Sequence, residues 1–302
     1  MNIPKPWALA ASAASAALAA FGLWWVLESG PSPADLVAEL PEKTGATLFV
    51  DLGLARRTGV LAYFTAPAAA QDPEYRGFVE ATGFDYSRDL DRLAVRFAPG
   101  GVWIAASGRF DGRKLATYAT ARGGRCIRGL CTMQGSTPER QISWLHPPGR
   151  LLRMAVSPDP MAAALSGSSP QPVQKLPSSP LWLQVPGTLL RPAEGLPPGV
   201  SALLSALSGA REAVFRLSAD KENFTIRLEA PFADAAAAQT SVEKLSSATE
   251  LLRKLIAREK QPPADRGLAG ILASGEFRAE GSTAAGAWRV RRELLKSLAG
   301  QS

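Results

Sequence analysis

The chain has 302 residues, 34 Lys and Arg against 27 Asp and Glu, a formal net charge of +7, 46% hydrophobic residues and 20% charged ones. These values exclude a chain disordered throughout and give enough length for about two compact units. One histidine and two cysteines remove most metal-site and catalytic-triad sets at the outset.

From Trp7 to Leu27 there is no charged residue over 21 positions, and about 20 apolar residues cross a bilayer core as a helix. Trp7 stands at one end and Trp24 and Trp25 near the other, where indoles prefer the membrane interface; Phe21 and Leu27 add apolar bulk. Lys5 precedes the segment, whereas Glu28, Asp35, Glu39 and Glu42 follow it before Lys43 appears. Positive charge resists translocation, so the N-terminus is expected in the cytoplasm. The remainder then lies outside a bacterial inner membrane, in the periplasm or its equivalent. The alternative is a signal peptide cleaved near Ala17-Leu18-Ala19, which would leave Phe21 to Leu27 as an apolar start.

Beyond a tip and anchor at 1–29, the pattern divides into a first unit at 30–165, a Pro/Ser-rich linker at 166–180 and a second unit at 181–302. Ser29 to Pro33 reads as a short connector. Ala46 to Asp51 reads as a strand rich in β-branched and aromatic residues. Asp72-Pro73 starts a helix that Gly83 ends. Leu93, Val95 and Phe97 alternate with polar or small residues, turn at Pro99-Gly100-Gly101 and return through Val102, Ile104 and Ala106. Asp111 caps a helix holding Leu115 and Tyr118. A cysteine-bearing hairpin, two strands (Ile142 to Leu145 and Leu152 to Val156) and a short Ala-rich helix from Met161 complete the unit.

The second unit repeats this order. Leu181 to Val185 is a strand, Val200 to Leu207 a helix ended by Gly209, and Val214 to Leu217 pairs with Phe224 to Ala230. Asp234 caps a long helix with Val242, Leu245, Leu252, Leu255 and Ile256 as its stripe. Phe277 to Glu280 and Trp288 to Val290 form a last hairpin, and Glu293 to Leu298 a last helix. Equivalent landmarks (Gly83 and Gly209, Asp111 and Asp234, Leu152 and Trp288) recur 123 to 136 residues apart. The expected class is α+β: a transmembrane helix, then a duplicated module of mostly antiparallel sheet with helices on one face.

Cys126 and Cys131 are separated by four residues including Gly129. This spacing suits a disulfide across a hairpin in an oxidising compartment, against two free thiols packed as small hydrophobes. His146, beside Pro147-Pro148, reads as a turn residue. Asp85, Asp89 and Asp91 do not follow a calcium-loop spacing and have Arg88 and Arg92 as local charge partners. No nucleophile elbow or phosphate loop occurs. No catalytic, cofactor-binding or metal residue is therefore assigned. Arg289, Arg291 and Arg292 cluster ahead of Glu293, as a solvated face or as an attractor of anionic headgroups; nucleic acid is not expected.

The segments Ala46 to Asp51, Thr82 to Asp85, Asp89-Leu90-Asp91 and Gly108 to Asp111 resemble those of membrane-anchored exported bacterial proteins without an assigned activity. The resemblance covers residues 45–115 and implies export and anchoring, with no catalytic residue. The expected function is non-enzymatic binding or scaffolding in the cell envelope, with the bilayer and an envelope protein as partners. The alternatives are an exported carrier of an apolar ligand, recognisable by an internal cavity, and an envelope hydrolase.

Overall fold

The computed structural model describes residues 30–42, 44–63, 72–137, 139–165, 167, 176–192, 195, 198–219, 223–258 and 267–292. The anchor residues Trp7, Phe21, Trp24, Trp25 and Leu27, most of the linker, and the helix expected at Glu293 to Leu298 lie outside the described residues. Among the described residues no helix is long and apolar enough to cross a membrane.

Twelve strands form one antiparallel sheet in the order β11-β12-β10-β9-β8-β1-β2-β3-β7-β6-β5-β4. The first seven in sequence are β1 (Ala46–Asp51), β2 (Leu90–Ala98), β3 (Gly101–Gly108), β4 (Arg125–Ile127), β5 (Leu130–Gln134), β6 (Gln141–Leu145) and β7 (Leu151–Ser157). The rest are β8 (Leu181–Pro186), β9 (Glu212–Ala219), β10 (Asn223–Pro231), β11 (Glu276–Glu280) and β12 (Thr283–Arg291). Each half runs strand, helix, hairpin, helix, hairpin, and in each the second hairpin lies beside the first. The first half adds the β4–β5 hairpin at its outer edge. There Cys126 and Cys131 are registered cross-strand partners and are disulfide-bonded. Arg128 and Gly129 form its turn, both at positive φ, as a two-residue hairpin turn of the primed kind requires.

The two halves meet where β1 pairs antiparallel with β8. Phe49 on β1 sits opposite Trp182 on β8, their rings stacked at 5.7 Å, both fully buried or nearly so. The core here belongs to both halves at once, rather than one core to each unit.

The caps act where the sequence marks them. Asp72 accepts from the Glu74 and Tyr75 amides at the start of α3 (Pro73–Thr82), and Gly83 ends it at φ 71°. Asp111 caps α5 (Gly112–Ala121) and Asp234 caps α8 (Ala235–Arg258). Between them lie α4 (Tyr86–Asp89), α6 (Ala162–Leu165) and α7 (Pro198–Leu207), and α9 (Gly267–Ala273) follows.

Four short helices were not expected: α4, α9 and two earlier ones. Ser32 caps α1 (Pro33–Ala38), with Asp35 returning a bond to the Ser32 amide, so the stretch read as a connector opens a helix. Asp51, the last residue of β1, caps α2 (Leu52–Arg57).

In the first half helices cover both faces, which corrects the expectation of one. α2, α3, α5, α7, α8 and α9 lie on the face of Leu93, Trp144, Phe224 and Trp288. α1 and α6 cover the opposite face, where Leu36, Leu40, Ala162 and Ala163 pack on Phe49, Trp103 and Trp182. Bulky aromatics on that side of the central strands cannot face water, so short apolar helices close over them.

Trp182→Ala is expected to cost about 3–5 kcal/mol, the range for truncating a large buried aromatic. Urea unfolding of the variant checks this. A loss within about 0.5 kcal/mol, as at a surface site, would mean the β1–β8 seam is not a core.

Candidate functional site

On the face of α3 and α5, the first half holds a cavity of about 740 Å³ that opens to solvent along one side. Its floor is the sheet, and the register sets it in rungs. Leu93, Ala106 and Leu152 align across β2, β3 and β7. Ile104, Met154 and Trp144 align across β3, β7 and β6. Val156, Ile142 and Met133 align across β7, β6 and β5. Every floor side chain comes from alternate positions of a strand, so the expected one-sided apolar pattern builds the cavity directly.

The wall is a run of aromatics. Tyr118 on α5 meets Phe78 on α3 edge-on at 5.1 Å, Phe78 meets Phe84 at 6.2 Å, and Phe84 stacks on Phe110 at 5.1 Å. His146 stands behind Phe110 and outside the cavity lining, edge-on to that ring at 6.0 Å and against Gly112, where a Cβ would approach its Nδ1 to 3.1 Å. The sole histidine is thus a packing element beside the turn that follows β6.

The mouth carries the polar groups: Glu74, Arg122, Gln134, Ser136 and Arg140. Arg122 lies over the Tyr118 ring at 5.3 Å. Arg122 and Arg140 are both exposed.

Charge stands behind the wall and fixes it. Asp89 is buried and accepts from Arg88 at 2.8 Å, Arg109 at 2.9 Å and the Asp85 amide at 2.9 Å. The hydrogen bonds from Arg88, with that amide and Arg109, hold its carboxyl down at about 2 against the cost of burial. Asp85 caps α4, accepting from the Ser87 hydroxyl at 2.7 Å, the Ser87 amide at 2.9 Å and Tyr75 at 3.2 Å. The Ser87 hydroxyl chiefly lowers its carboxyl pKa, while burial pushes the Tyr75 phenol up to about 12. This brace sets the Gly83–Asp85 loop from which Phe84 enters the cavity.

The three aspartates therefore do not converge. Asp91 pairs with Arg56 at 3.0 Å and Arg150 at 2.6 Å. Arg92, expected to serve them, instead reaches Asp51 at 3.3 Å, because Asp51 and Arg92 are cross-strand partners. Among the described residues no group of three His, Cys, Asp or Glu could hold a metal ion. The sequence named an internal cavity only as the mark of the apolar-carrier alternative and did not place it; the cluster of Tyr75, Phe78, Phe84, Tyr86, Phe110 and Tyr118 was the signal that could have done so.

The disulfide borders the site. Cys131 is paired with Trp144, whose ring lines the cavity, and the Cys126 sulfur lies 3.8 Å from the Ala116 carbonyl of α5. A second cavity of about 920 Å³ lies over the β1–β8 seam, bounded by Leu52, Leu181, Leu217 and Phe224 and reaching Leu61, Ala219 and Arg292 at the limits of the described segments.

No family model and no curated protein matches this chain. Among solved structures, crystal form I of TP0453 is similar at 10% identity over 89% of this chain and 98% of that one, with a TM-score of 0.49. Crystal form III of TP0453 matches at 10% identity over 88% and 98%, with a TM-score of 0.47. Likeness at this level carries nothing about function.

Asp89 makes the acid stability of this region predictable. Its pKa is depressed in the fold, so its contribution is fully present above about pH 4 and is lost as pH falls toward 2. Asp89→Asn should lower the urea midpoint at neutral pH and flatten its fall between about pH 4 and pH 2. A variant whose midpoint falls as steeply as the parent's would remove Asp89 from that role.

Proposed function

We propose that this chain is a non-enzymatic envelope protein, held to the inner membrane by Trp7 to Leu27, whose ectodomain binds an apolar ligand in the cavity between α3, α5 and the sheet. The two halves, 30–165 and 181–302, are read as a duplicated module, which the shared strand order supports. The observation that carries the binding function is the cavity: about 740 Å³ lined largely by aliphatic and aromatic side chains. Ligand sites commonly fall between about 300 and 1,000 Å³, and a folded core does not ordinarily leave so much apolar surface unpaired. Arg122 and Arg140 at the mouth suit a ligand whose exposed end is polar or anionic.

A scaffolding role is favoured by one separate feature. Ile127 is 66% exposed at the tip of the disulfide-bonded hairpin, between Arg125 and Arg128. A rigid apolar tip with basic flanks suits docking to an envelope protein.

The binding reading is tested with N-phenyl-1-naphthylamine, whose fluorescence rises in apolar surroundings. The full chain in detergent-free nanodiscs is expected to bind it saturably above the empty-disc signal. Ile104→Trp, filling the floor, should weaken binding about tenfold or more, the scale of a clash of 1–3 kcal/mol. An unchanged urea midpoint excludes unfolding as the cause. Equal binding by parent and variant would place the probe elsewhere and end the reading.

A further inference from the structure

The face opposite the cavity carries its own surface. The described chain begins on it. Gly30 lies against Ser107, and the Pro31 carbonyl accepts from Arg92 at 2.8 Å. Segment 30–42 then runs across this face to Arg96, which donates to the Pro41 carbonyl at 2.6 Å. Leu27, the last anchor residue, is three residues before Gly30. Three residues span at most about 10 Å, so a bilayer holding the anchor starts within that reach of this face.

Among the described residues no helix lies over the same face of the second half. Trp182 aligns with Arg216, and Arg216 with Arg227. Arg289 stands opposite Thr225, two residues from Arg227 on the same side, and Arg291 opposite Asn223. Arg227, Arg289 and Arg291 are exposed. Their neighbours Ala285 and Ala287 are small and leave a hollow of about 550 Å³. The other arginines here are neutralised: Arg216 by Glu229 at 2.6 Å, Arg278 by Glu280 at 2.6 Å. Among the described residues no carboxylate pairs with Arg227, Arg289 or Arg291. Glu276 faces Arg227 only across Ala287. Neighbouring like charges on one sheet face repel, and a facing anionic surface relieves that repulsion. Arg292, next in sequence, turns to the other side and lies over the Phe224 ring at 5.3 Å.

We propose that this face rests on the anionic leaflet that holds the anchor, with Arg227, Arg289 and Arg291 contacting its headgroups. The proposal rests on the anchored reading given above. Arg227 lies four strands from Arg92 and Arg289 and Arg291 five, about 19 and 24 Å at the usual strand spacing, well within one protein's footprint. Met161, just before α6, and Leu165, its last residue, are 49% and 62% exposed and present apolar groups on the same face beyond the tether. Of the acids of segment 30–42, Glu39 is neutralised by Arg153 at 2.6 Å, while Asp35 in its capping box and the exposed Glu42 keep their charge and work against the contact.

The test uses the full chain with a fluorophore on Ser218→Cys, an exposed position on this face. The native cysteines are bonded to each other and do not compete. The protein is placed in phosphatidylcholine vesicles, with or without phosphatidylglycerol, containing a headgroup-nitroxide quencher. Quenching is expected to be strong only with phosphatidylglycerol and to fall with salt. Arg227→Gln/Arg289→Gln/Arg291→Gln should shift the docked equilibrium on the order of a hundredfold, since each arginine near such a surface counts severalfold. A label at Thr240→Cys, exposed on α8 across the sheet, should stay unquenched. Protein that floats with both vesicles but shows no lipid-dependent quenching at Ser218 overturns the proposal. So does polyphosphate binding that competes equally without vesicles, which would assign the face to a soluble polyanion. Protein that fails to float with phosphatidylcholine vesicles overturns the anchored reading instead.

Discussion

The antiparallel pairing of β1 with β8 is the constraint on which the rest depends. Apart, each half would expose the edge of an open sheet, a row of unpaired amides and carbonyls that invites pairing with other chains. Joined, the two edges satisfy one another, and the register puts Phe49 on Trp182 and Leu48 beside Leu183. Since paired residues share a face, that register carries sidedness from one half to the other. The two edges that remain are short or charged. β4 has three residues and is tied to β5 by the disulfide. β11 carries Glu276, Arg278 and Glu280. Both devices discourage strand addition.

The halves share a strand order but not a degree of filling, and the difference explains the cavity. In the second half five strands lie under α7, α8 and α9, and α8 alone has 24 residues. Ala238, Val242 and Leu245 descend from it onto the core that holds Phe224, Leu228 and Trp288. In the first half seven strands share the same face with α3 and α5, of ten residues each, and the short α2. More sheet under less helix leaves apolar surface without a partner. Space then opens between Phe78 and Phe84 above and Ala106 and Met154 below.

Local structure was legible because its causes are local. Asp72-Pro73, Asp111 and Asp234 cap helices through their own side chains, and Gly83 and Gly209 end them at positive φ. Alternation in β2, β3 and β10 marked both strand and buried face. The spacing of Cys126 and Cys131 suited a disulfide across a hairpin, against two free thiols, and the two are bonded there. What depends on distant partners was hidden. Asp89 draws on Arg109, twenty residues away, and Arg92 on Asp51 across a strand pair. The six-residue α1 is too short to show a helical period. β1 is apolar on both faces, with Leu48 to one side and Phe49 to the other, so its pattern could not say what covers either. The cavity was least legible, since a residue lining a void and a residue filling a core have the same chemistry.

The sidedness of the sheet bears on how a bound ligand would exchange. The cavity opens on the face of α3 and α5, with Arg122 and Arg140 at its mouth, whereas Gly30 and Pro31 lie on the other face. On the anchored reading, the sheet stands between the leaflet and the cavity. An apolar molecule in the cavity would then be presented away from the membrane that holds the protein, toward whatever meets the far side. The exposed Ile127 hairpin is bonded to β5, and Cys131 on that strand aligns with Trp144 of the cavity floor. A partner that engages the tip would therefore touch an element continuous with the ligand's wall. On that reading binding and docking would be two uses of one structure, because the Cys126–Cys131 bond ties the tip to the strand that borders the cavity.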